Sequence, residues 1–312
     1  MLDQQGRSVQ YLRLSVTEAC DYRCAYCMPL GELAGRGKRL SAAECVEIAR
    51  QAAACGIIKV RLTGGEPLVR GDILEICRGI SGIGCIETLC MTTNGSRLAS
   101  IAGALRDAGV RRVNISIDSL QSERYRAITH CGTLQNALDG LDKALSVGFE
   151  QVKVNMVLMG GVNDDEIPNF VELTRDRPID VRFIELMPIG PSAAWPKERF
   201  VPASAVLARC PELLPIGRAG VSEQYRASGH LGAVGLIRPI SGCFCGTCDR
   251  IRVTADGMLK PCLHGREEIS LKRLTGEALR AQIERGILSK PRAHALNEGA
   301  SQSARPMNAI GG

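Results

Sequence analysis

The chain has 312 residues, of which 45% are hydrophobic and 23% charged, and its net charge is +6. This balance fits a soluble globular protein with a substantial core, built as one large barrel-type domain with an appendage or as two ordinary domains, and no apolar run approaches the length of a membrane span. The mild positive charge, without a basic run interleaved with aromatics, argues against nucleic acid and suits an anionic small molecule.

The opening M-L-D-Q-Q-G-R-S lacks the basic-then-apolar layout of a signal peptide, so a cytoplasmic location is expected. Fourteen cysteines in a reducing compartment then read as metal ligands plus buried thiols. Cys45, Cys55, Cys77, Cys85, Cys90, Cys131 and Cys210 each stand alone and are expected to be small buried hydrophobes.

The first apolar, β-branched stretch covers 10–16 (Q-Y-L-R-L-S-V) and runs into C-D-Y-R-C-A-Y-C at 20–27. Cysteines this close gain little as disulfides, because a disulfide stabilises most by closing a long loop. Their sulfurs can instead converge on a metal centre. Zinc would want a fourth protein ligand, whereas an iron–sulfur cube accepts three thiolates and leaves one iron open. The glycines of G-E-L-A-G-R-G (31–37) follow no strand, and no Walker loop exists, so a nucleotide here would not be held in P-loop fashion.

Helix-patterned segments at 41–55, 71–80, 97–108, 133–147 and 163–175 alternate with strands at 57–62, 85–92, 110–117, 150–158 and 179–186. Ser41 with Glu44 forms a capping-box signature, and Gly56, Gly109 and Gly148 stand where helices should stop. Six strand–helix units predict an α/β fold with a parallel sheet, open or curled into a partial barrel, and functional groups at the carboxyl ends of the strands. T-G-G-E-P-L (63–68) follows the second strand: two glycines for close approach of the backbone to a ligand, Glu66 for a carboxylate, Pro67 for the turn. T-T-N-G (92–95) ends the third strand as another polar rim.

Covered parallel strands should be nearly all apolar, yet Arg13, Arg61, Lys153 and Arg182 lie within them. One such cation could reach solvent or pair with Glu185 or Asp118. Four on successive strands predict a barrel interior built to hold a polyanion, with a phosphate ester the natural candidate. From about residue 190 the rhythm fails, and short strands at 224–240 and 250–259 suggest an accessory region, giving a division into 1–190 and 191–312. Its second cysteine group, C-G-T-C-D-R-I-R-V-T-A-D-G-M-L-K-P-C at 245–262, again offers three thiolates. A zinc knuckle completed by Cys243 or His264 is the alternative there, and Cys243 in G-C-F-C could replace Cys245 as a ligand.

Cys-x3-Cys-x2-Cys after a first strand, with G-G-E-P after the second, resembles the radical S-adenosylmethionine (SAM) enzymes. The second cysteine group, Y-R at 225–226, I-R-P-I-S at 237–241 and the terminal I-G-G narrow this to a resemblance, over essentially the whole chain, to the GTP 3′,8-cyclase family. That family opens molybdenum cofactor biosynthesis. The resemblance implies a partial (β/α)6 TIM-type barrel, two 4Fe–4S clusters and SAM. Cys20, Cys24 and Cys27 would hold the first cluster, and Cys245, Cys248 and Cys262 a second, substrate-binding one. Tyr26, Gly65, Ser116 and Met187 match positions that contact SAM. Arg13, Arg61, Thr92, Lys153, Arg250, Ile251 and Arg252 match positions around GTP, and Arg13 is grouped with the first three cysteines as catalytic.

The implied reaction takes hydrogen from the GTP ribose 3′ carbon with a 5′-deoxyadenosyl radical and joins that carbon to guanine C8. Asp21 and Asp249 replace asparagines common in the family and are not expected to bind iron. The double glycine at the end is expected to reach the active site, and it does not fit the sulfur-transfer role of small β-grasp proteins. Implied partners are GTP, SAM, an external electron donor and the next enzyme of the pathway, with a homodimer one compatible assembly. A peptide-modifying radical SAM enzyme or a non-catalytic iron–sulfur protein is the competing assignment. The first would call for more C-terminal cysteines, and the second needs no G-G-E-P.

Overall fold

The computed structural model describes residues 1–29, 39–296 and 301–311. The G-E-L-A-G-R-G segment and the final Gly312 lie outside the described residues. Strand β1 (Tyr11–Ser15) leads through α1 (Ala42–Ala54), β2 (Lys59–Thr63), α2 (Ile73–Ser81), β3 (Thr88–Thr93) and α3 (Leu98–Asp107) to β4 (Val110–Ser116). Two helices, α4 (Ser122–Thr129) and α5 (Leu134–Ser146), precede β5 (Gln151–Leu158), and α6 (Ile167–Glu172) precedes β6 (Ile179–Glu185). The six expected strands are all present. The helix expected over 163–175 is shorter, since Asp164–Glu166 form a 3-10 turn and Pro168 then starts the α-helix.

After residue 190 come α7 (Ala205–Arg209), β7 (Leu214–Ala219), β8 (Ser222–Arg226), β9 (Ala233–Ile237), β10 (Arg250–Val253), β11 (Met258–Lys260), β12 (Ile269–Ser270), α8 (Gly276–Leu288) and α9 (Met307–Ile310). They extend the same sheet at both edges, in the order β12-β11-β10-β1-β2-β3-β4-β5-β6-β9-β8-β7. β10 runs parallel beside β1 and β9 parallel beside β6, so eight strands in succession, β10, β1 to β6 and β9, point the same way.

Alternation along each strand sends one set of side chains outward to the helices. Leu12, Leu14, Val60, Leu62, Val113, Ile115, Val152, Val154, Val181 and Phe183 belong to one continuous core with the inner faces of the helices. α2 contributes Ile73, Ile76, Cys77 and Ile80, the spacing of a single helical face. The capping box on α1 is formed, with Ser41 Oγ accepting from Glu44 N (3.2 Å) and Glu44 Oε2 accepting from Ser41 N (2.7 Å). Gly56, Gly109 and Gly148 take φ of 90°, 95° and 75°, the left-handed conformation that ends a helix at low cost only in glycine. Cys45, Cys55, Cys77, Cys90 and Cys210 are buried as expected, but Cys85 and Cys131 are exposed. Both lie in connecting segments, which follow the surface. Among the described residues no helix is long and apolar enough to cross a membrane.

Two helical glycines separate propensity from packing. A Cβ at Gly103 in α3 meets nothing within 4 Å, whereas one at Gly286 in α8 would overlap the buried side chain of Leu259. Gly103→Ala should therefore stabilise the chain by about 0.4–1 kcal/mol. Gly286→Ala should destabilise it by about 1–3 kcal/mol through overpacking. Urea unfolding of the two variants checks the opposite signs.

Candidate active site

The inward-facing set lines a cavity of about 590 Å³. Strand register stacks this set in layers. Arg250, Tyr11 and Lys59 are level with one another, and Arg252, Arg13 and Arg61 form the next layer. Further along, Asn114 is level with Thr92 and Lys153, and then Asn155 with Ser116 and Arg182. All of these line the cavity. Ile251 falls between Arg250 and Arg252, so its side chain turns outward and is 1% exposed in the core. Asn114 and Asn155 went unnoticed in the sequence, although each carries the same signal as the cations: a polar side chain inside a covered strand.

Both cysteine trios line this one cavity, from opposite ends. Cys20, Cys24 and Cys27 follow β1 and sit at the carboxyl ends of the parallel strands. Cys245 and Cys248 immediately precede β10, which is parallel to β1, and Cys262 follows β11, which is antiparallel to β10. The second trio is therefore at the amino ends, contrary to the expectation that functional groups gather at the carboxyl ends. The reason is topological: the C-terminal region adds β10 and β11 to the sheet edge and brings its own loops to the other mouth.

The G-G-E-P loop is built for a different close approach from the one expected. A Cβ on Gly64 would come within 2.5 Å of the Thr17 carbonyl oxygen, and one on Gly65 within 2.5 Å of those of Glu18 and Ala19. Gly65 N donates to Thr17 O and Glu66 N to Ala19 O, both at 2.8 Å. The glycines thus let the second strand's loop press on the backbone leading into Cys20. Glu66 then carries the third rim, accepting from Leu68 N (2.9 Å), Thr93 Oγ1 (2.7 Å) and Asn94 N (2.6 Å). Asp21 accepts from Asn94 Nδ2 (2.8 Å) and Ser96 Oγ (2.7 Å), a structural task. Tyr26 donates to Asp118 Oδ2 (2.8 Å), and Val157 N donates to Asp118 Oδ1 (2.8 Å). Gly65, Tyr26, Ser116 and Met187 all line the cavity.

Burial pushes the thiols of Cys20 and Cys27 up to about 12 and raises Cys24 as well. The charges acting on them are thiolates of the trio itself, Cys27 first on Cys24, and carboxylates: Glu66 and Asp21 on Cys20, Asp118 on Cys24 and Cys27. Three free thiols in one wall, surrounded by carboxylates, fit a positively charged metal cluster that would bind them as thiolates.

The C-terminal tail returns to this site. Arg305 pairs with Glu268 (2.8 Å) and Asp256 (3.0 Å), and the backbone N–H of Asn308 donates to the Cys27 thiol. The Gly311 carbonyl accepts from Arg252 Nη1 (3.1 Å) and Thr63 Oγ1 (3.4 Å). At φ 85°, a Cβ on Gly311 would lie 2.6 Å from Thr63 Oγ1 and 2.8 Å from Ser15 Cβ. The tail is anchored through Gly311, and only glycine fits at that position.

Family models match residues 14–174 (Radical SAM superfamily) and 179–296 (Molybdenum Cofactor Synthesis C). A protein of Alkaliphilus oremlandii named GTP 3′,8-cyclase is 44% identical over 320 residues, covering 100% of both chains. One of Alkaliphilus metalliredigens with the same name is 46% identical with the same coverage, and one of Listeria monocytogenes is 43% identical over 94% of this chain and 92% of its own. The chain belongs to the GTP 3′,8-cyclase family of radical SAM proteins. Among solved structures, Streptococcus suis SuiB bound to its precursor peptide matches with a TM-score of 0.65 at 12% identity, covering 97% of this chain and 76% of that one. That likeness is of fold. Membership in the radical SAM family brings one 4Fe–4S cluster and SAM to the chain.

In this family member the two carboxylates expected as alternative partners for a buried cation serve other groups, although Asp118 lines the cavity. Glu185 and Asp118 are spent elsewhere: Glu185 accepts from Ala203 N, Ile240 N and Ser241 N. Lys153 pairs instead with Asp180. Arg61 donates to Tyr11 Oη and to the Met91 carbonyl (2.9 Å). Burial, then the neighbouring Arg182, lowers Lys153 to about 8. Burial, then Arg61, lowers Arg182 to about 10, and burial, then Arg250, does the same to Arg252. Arg13 is depressed by burial and then by Arg252. A bound polyanion would relieve all four.

The pH dependence follows in sign. Below about 8 Lys153 is charged in the empty cavity and contributes fully to anion binding; above it, binding must first restore the proton. Measured against Lys153→Gln, which carries the ligand's own ionisation, wild-type affinity for tripolyphosphate should fall about twofold from pH 7 to 8 and about fivefold from pH 8 to 9. Titration calorimetry at fixed ionic strength decides it, and parallel profiles in the two proteins would remove Lys153 from the anion site.

Proposed function

We propose that the protein converts GTP to (8S)-3′,8-cyclo-7,8-dihydroguanosine 5′-triphosphate, a radical SAM lyase reaction of molybdenum cofactor biosynthesis. One observation carries the proposal: a single cavity bears a cysteine trio at each end and stacked cations between them. An enzyme of this kind needs a radical source, a grip on a triphosphate and a second anchor that fixes the base.

Cys20, Cys24 and Cys27 hold the first 4Fe–4S cluster, and Tyr26, Gly65, Ser116 and Met187 surround SAM. When bound, the cluster and SAM supply the radical chemistry, fed by an external one-electron donor. Arg13, Arg61, Lys153, Arg250 and Arg252 hold the triphosphate and ribose, with Thr92 beside Arg61; Arg13, level with Arg61, also stands next to the reacting sugar. Ile251 acts by spacing its two arginine neighbours onto the same face. Cys245, Cys248 and Cys262 would hold a second 4Fe–4S cluster, which would supply an anchor for the guanine end. The tail's Gly311 packs between Ser15 and Thr63 and braces the cavity-lining Thr63 and Arg252 through its carbonyl. Residues 1–190 thus generate the radical and 191–312 close the barrel, and the product passes to the next enzyme of the pathway. A peptide-modifying activity is the competing reading, and the SuiB structure with its precursor peptide shares the fold, but a peptide has no use for a cationic interior.

Arg61→Ala and Arg252→Ala should each weaken GTP binding by roughly 10- to 150-fold, from about 1.5–3 kcal/mol per charge-assisted contact. SAM cleavage without substrate should persist. Unchanged GTP affinity in both variants would sink this placement of the nucleotide.

The two cysteine trios should be separable. Cys24→Ala should abolish 5′-deoxyadenosine formation. Cys248→Ala should keep the first cluster and cleave SAM slowly yet give no cyclised nucleotide, because misplacement by about 1 Å costs on the order of a hundredfold in rate. Iron content, EPR with and without GTP, and product analysis read this out; cyclisation at the wild-type rate in Cys248→Ala is the result that refutes a substrate-anchoring second cluster.

A further inference from the structure

Among the described residues, one trio of His, Cys or acidic side chains brings its ligand atoms all within 4.8 Å of one another: Cys243, Cys245 and His294. Tetrahedral ligands about 2.0–2.3 Å from one zinc ion stand roughly 3.3–3.8 Å apart. The trio therefore reaches the geometry of a single ion's ligands by closing at most about 1.5 Å. It is also a different set from Cys245, Cys248 and Cys262, sharing only Cys245.

The local structure prepares these atoms. Cys243 has φ 27°, a left-handed turn separated from Cys245 by the single residue Phe244. The ring of His294 has its Nε2 2.9 Å from the Pro239 carbonyl oxygen. A carbonyl only accepts, so Nε2 carries the proton and Nδ1 the free lone pair, the tautomer lock found on metal-ligating histidines. Nδ1 is engaged only by a long 3.3 Å bond from Leu296 N. The His264 ring packs edge-on against His294 at 5.2 Å between centroids, limiting its rotation. Cys243 is exposed and Cys245 and His294 half-buried, which gives an ion an entry path at the cavity's rim. Two thiolates and an imidazole are soft to borderline donors, suited to zinc-class ions and not to calcium or magnesium.

We propose that in the cluster-free chain Cys243, Cys245 and His294 bind a single zinc-class divalent ion, and that this ion competes with the second cluster for Cys245. The site needs no part of the cyclase reaction; only the competition rests on Cys245 being a cluster ligand. It predicts that zinc reaching the chain before iron and sulfide diverts it into a form with one cluster.

Cobalt(II) titration of the chelator-stripped, anaerobic full chain tests the site, since thiolate–cobalt charge-transfer and tetrahedral d–d bands report the ligands directly. Cys243→Ser and His294→Ala should each weaken one cobalt equivalent at least tenfold relative to wild type, while Cys248→Ser and Cys262→Ser keep it; circular dichroism confirms that each variant is folded. Equal binding in wild type, Cys243→Ser and His294→Ala overturns the proposal, as does loss of that equivalent in Cys248→Ser or Cys262→Ser. A parallel reconstitution with iron and sulfide, with and without one equivalent of zinc, reads iron per chain. Zinc should lower it in wild type and not in Cys243→Ser, and equal lowering in both overturns the competition. Loss of iron in Cys248→Ser without zinc tests the second cluster separately, so the two ideas can fail independently.

Discussion

Guanidinium and ammonium groups held out of water repel one another and lose hydration, and a protein tolerates this only where an anion will come. Among the described residues the cavity's walls carry Arg13, Lys59, Arg61, Arg112, Lys153, Arg182, Arg250 and Arg252 against Glu66, Asp118 and Asp249, with Asp180 pairing Lys153 and Glu150 pairing Arg112 from outside the lining. Of the three lining carboxylates, Glu66 and Asp118 are saturated by rim loops and Tyr26 at the carboxyl end. The imbalance is a standing cost to the empty fold. It turns the strand interior, which packing alone would fill with apolar side chains, into a receptor for negative charge.

The sheet's construction follows from having to support that interior. Six strands make an open curve, and the chain adds β9 to one edge and β10 to the other, both parallel, before the C-terminal strands turn back. β10 brings Arg250 level with Lys59 and Arg252 level with Arg13 and Arg61, adding two cations to that wall. The tail then offers Arg252 a neutral partner, the Gly311 carbonyl, which satisfies one N–H without cancelling the charge. Arg305, clamped between Asp256 and Glu268, makes that arrangement persist where a chain end would ordinarily fray.

Much of this was legible in the sequence because it breaks a rule. Arginine and lysine in strands that should be apolar, and cysteines too close for disulfides, are local contradictions that only a site resolves. Asn114 and Asn155 carried the same signal more faintly, since asparagine is less costly to bury than a charge. The G-G-E-P loop was located correctly but its glycines were assigned to ligand contact, when they serve contact with residues 17–19; a sequence does not say what a missing Cβ makes room for. α4 buries only Tyr125, Ile128 and Thr129, a face too small to show a period. In α8 the spacing of Leu279, Ile283 and Ile287 is helical, but Gly276 and Gly286 masked it. Which end of the barrel the second trio occupies depends on β10 pairing with β1, a contact spanning more than two hundred residues that no local pattern encodes.

The two cysteine trios consequently live in opposite electrostatic surroundings. At the carboxyl end Glu66, Asp21 and Asp118 act on the thiols, and every one of them opposes the thiolate. At the amino end Lys290 Nζ stands 3.8 Å from Cys248 Sγ while donating to the Arg250 and Pro261 carbonyls, and Arg252 has Cys248 and Cys262 as neighbours, although burial still pushes the Cys245 thiol up to about 11. Cations therefore stand beside the second trio and carboxylates beside the first. Both trios depend on a bound metal to supply the positive charge their thiolates need, and the second has wall cations nearby as well. A single tunnel with such a gradient orients a ligand that is anionic along one part and neutral along another, and it does so before any specific contact with the base is made.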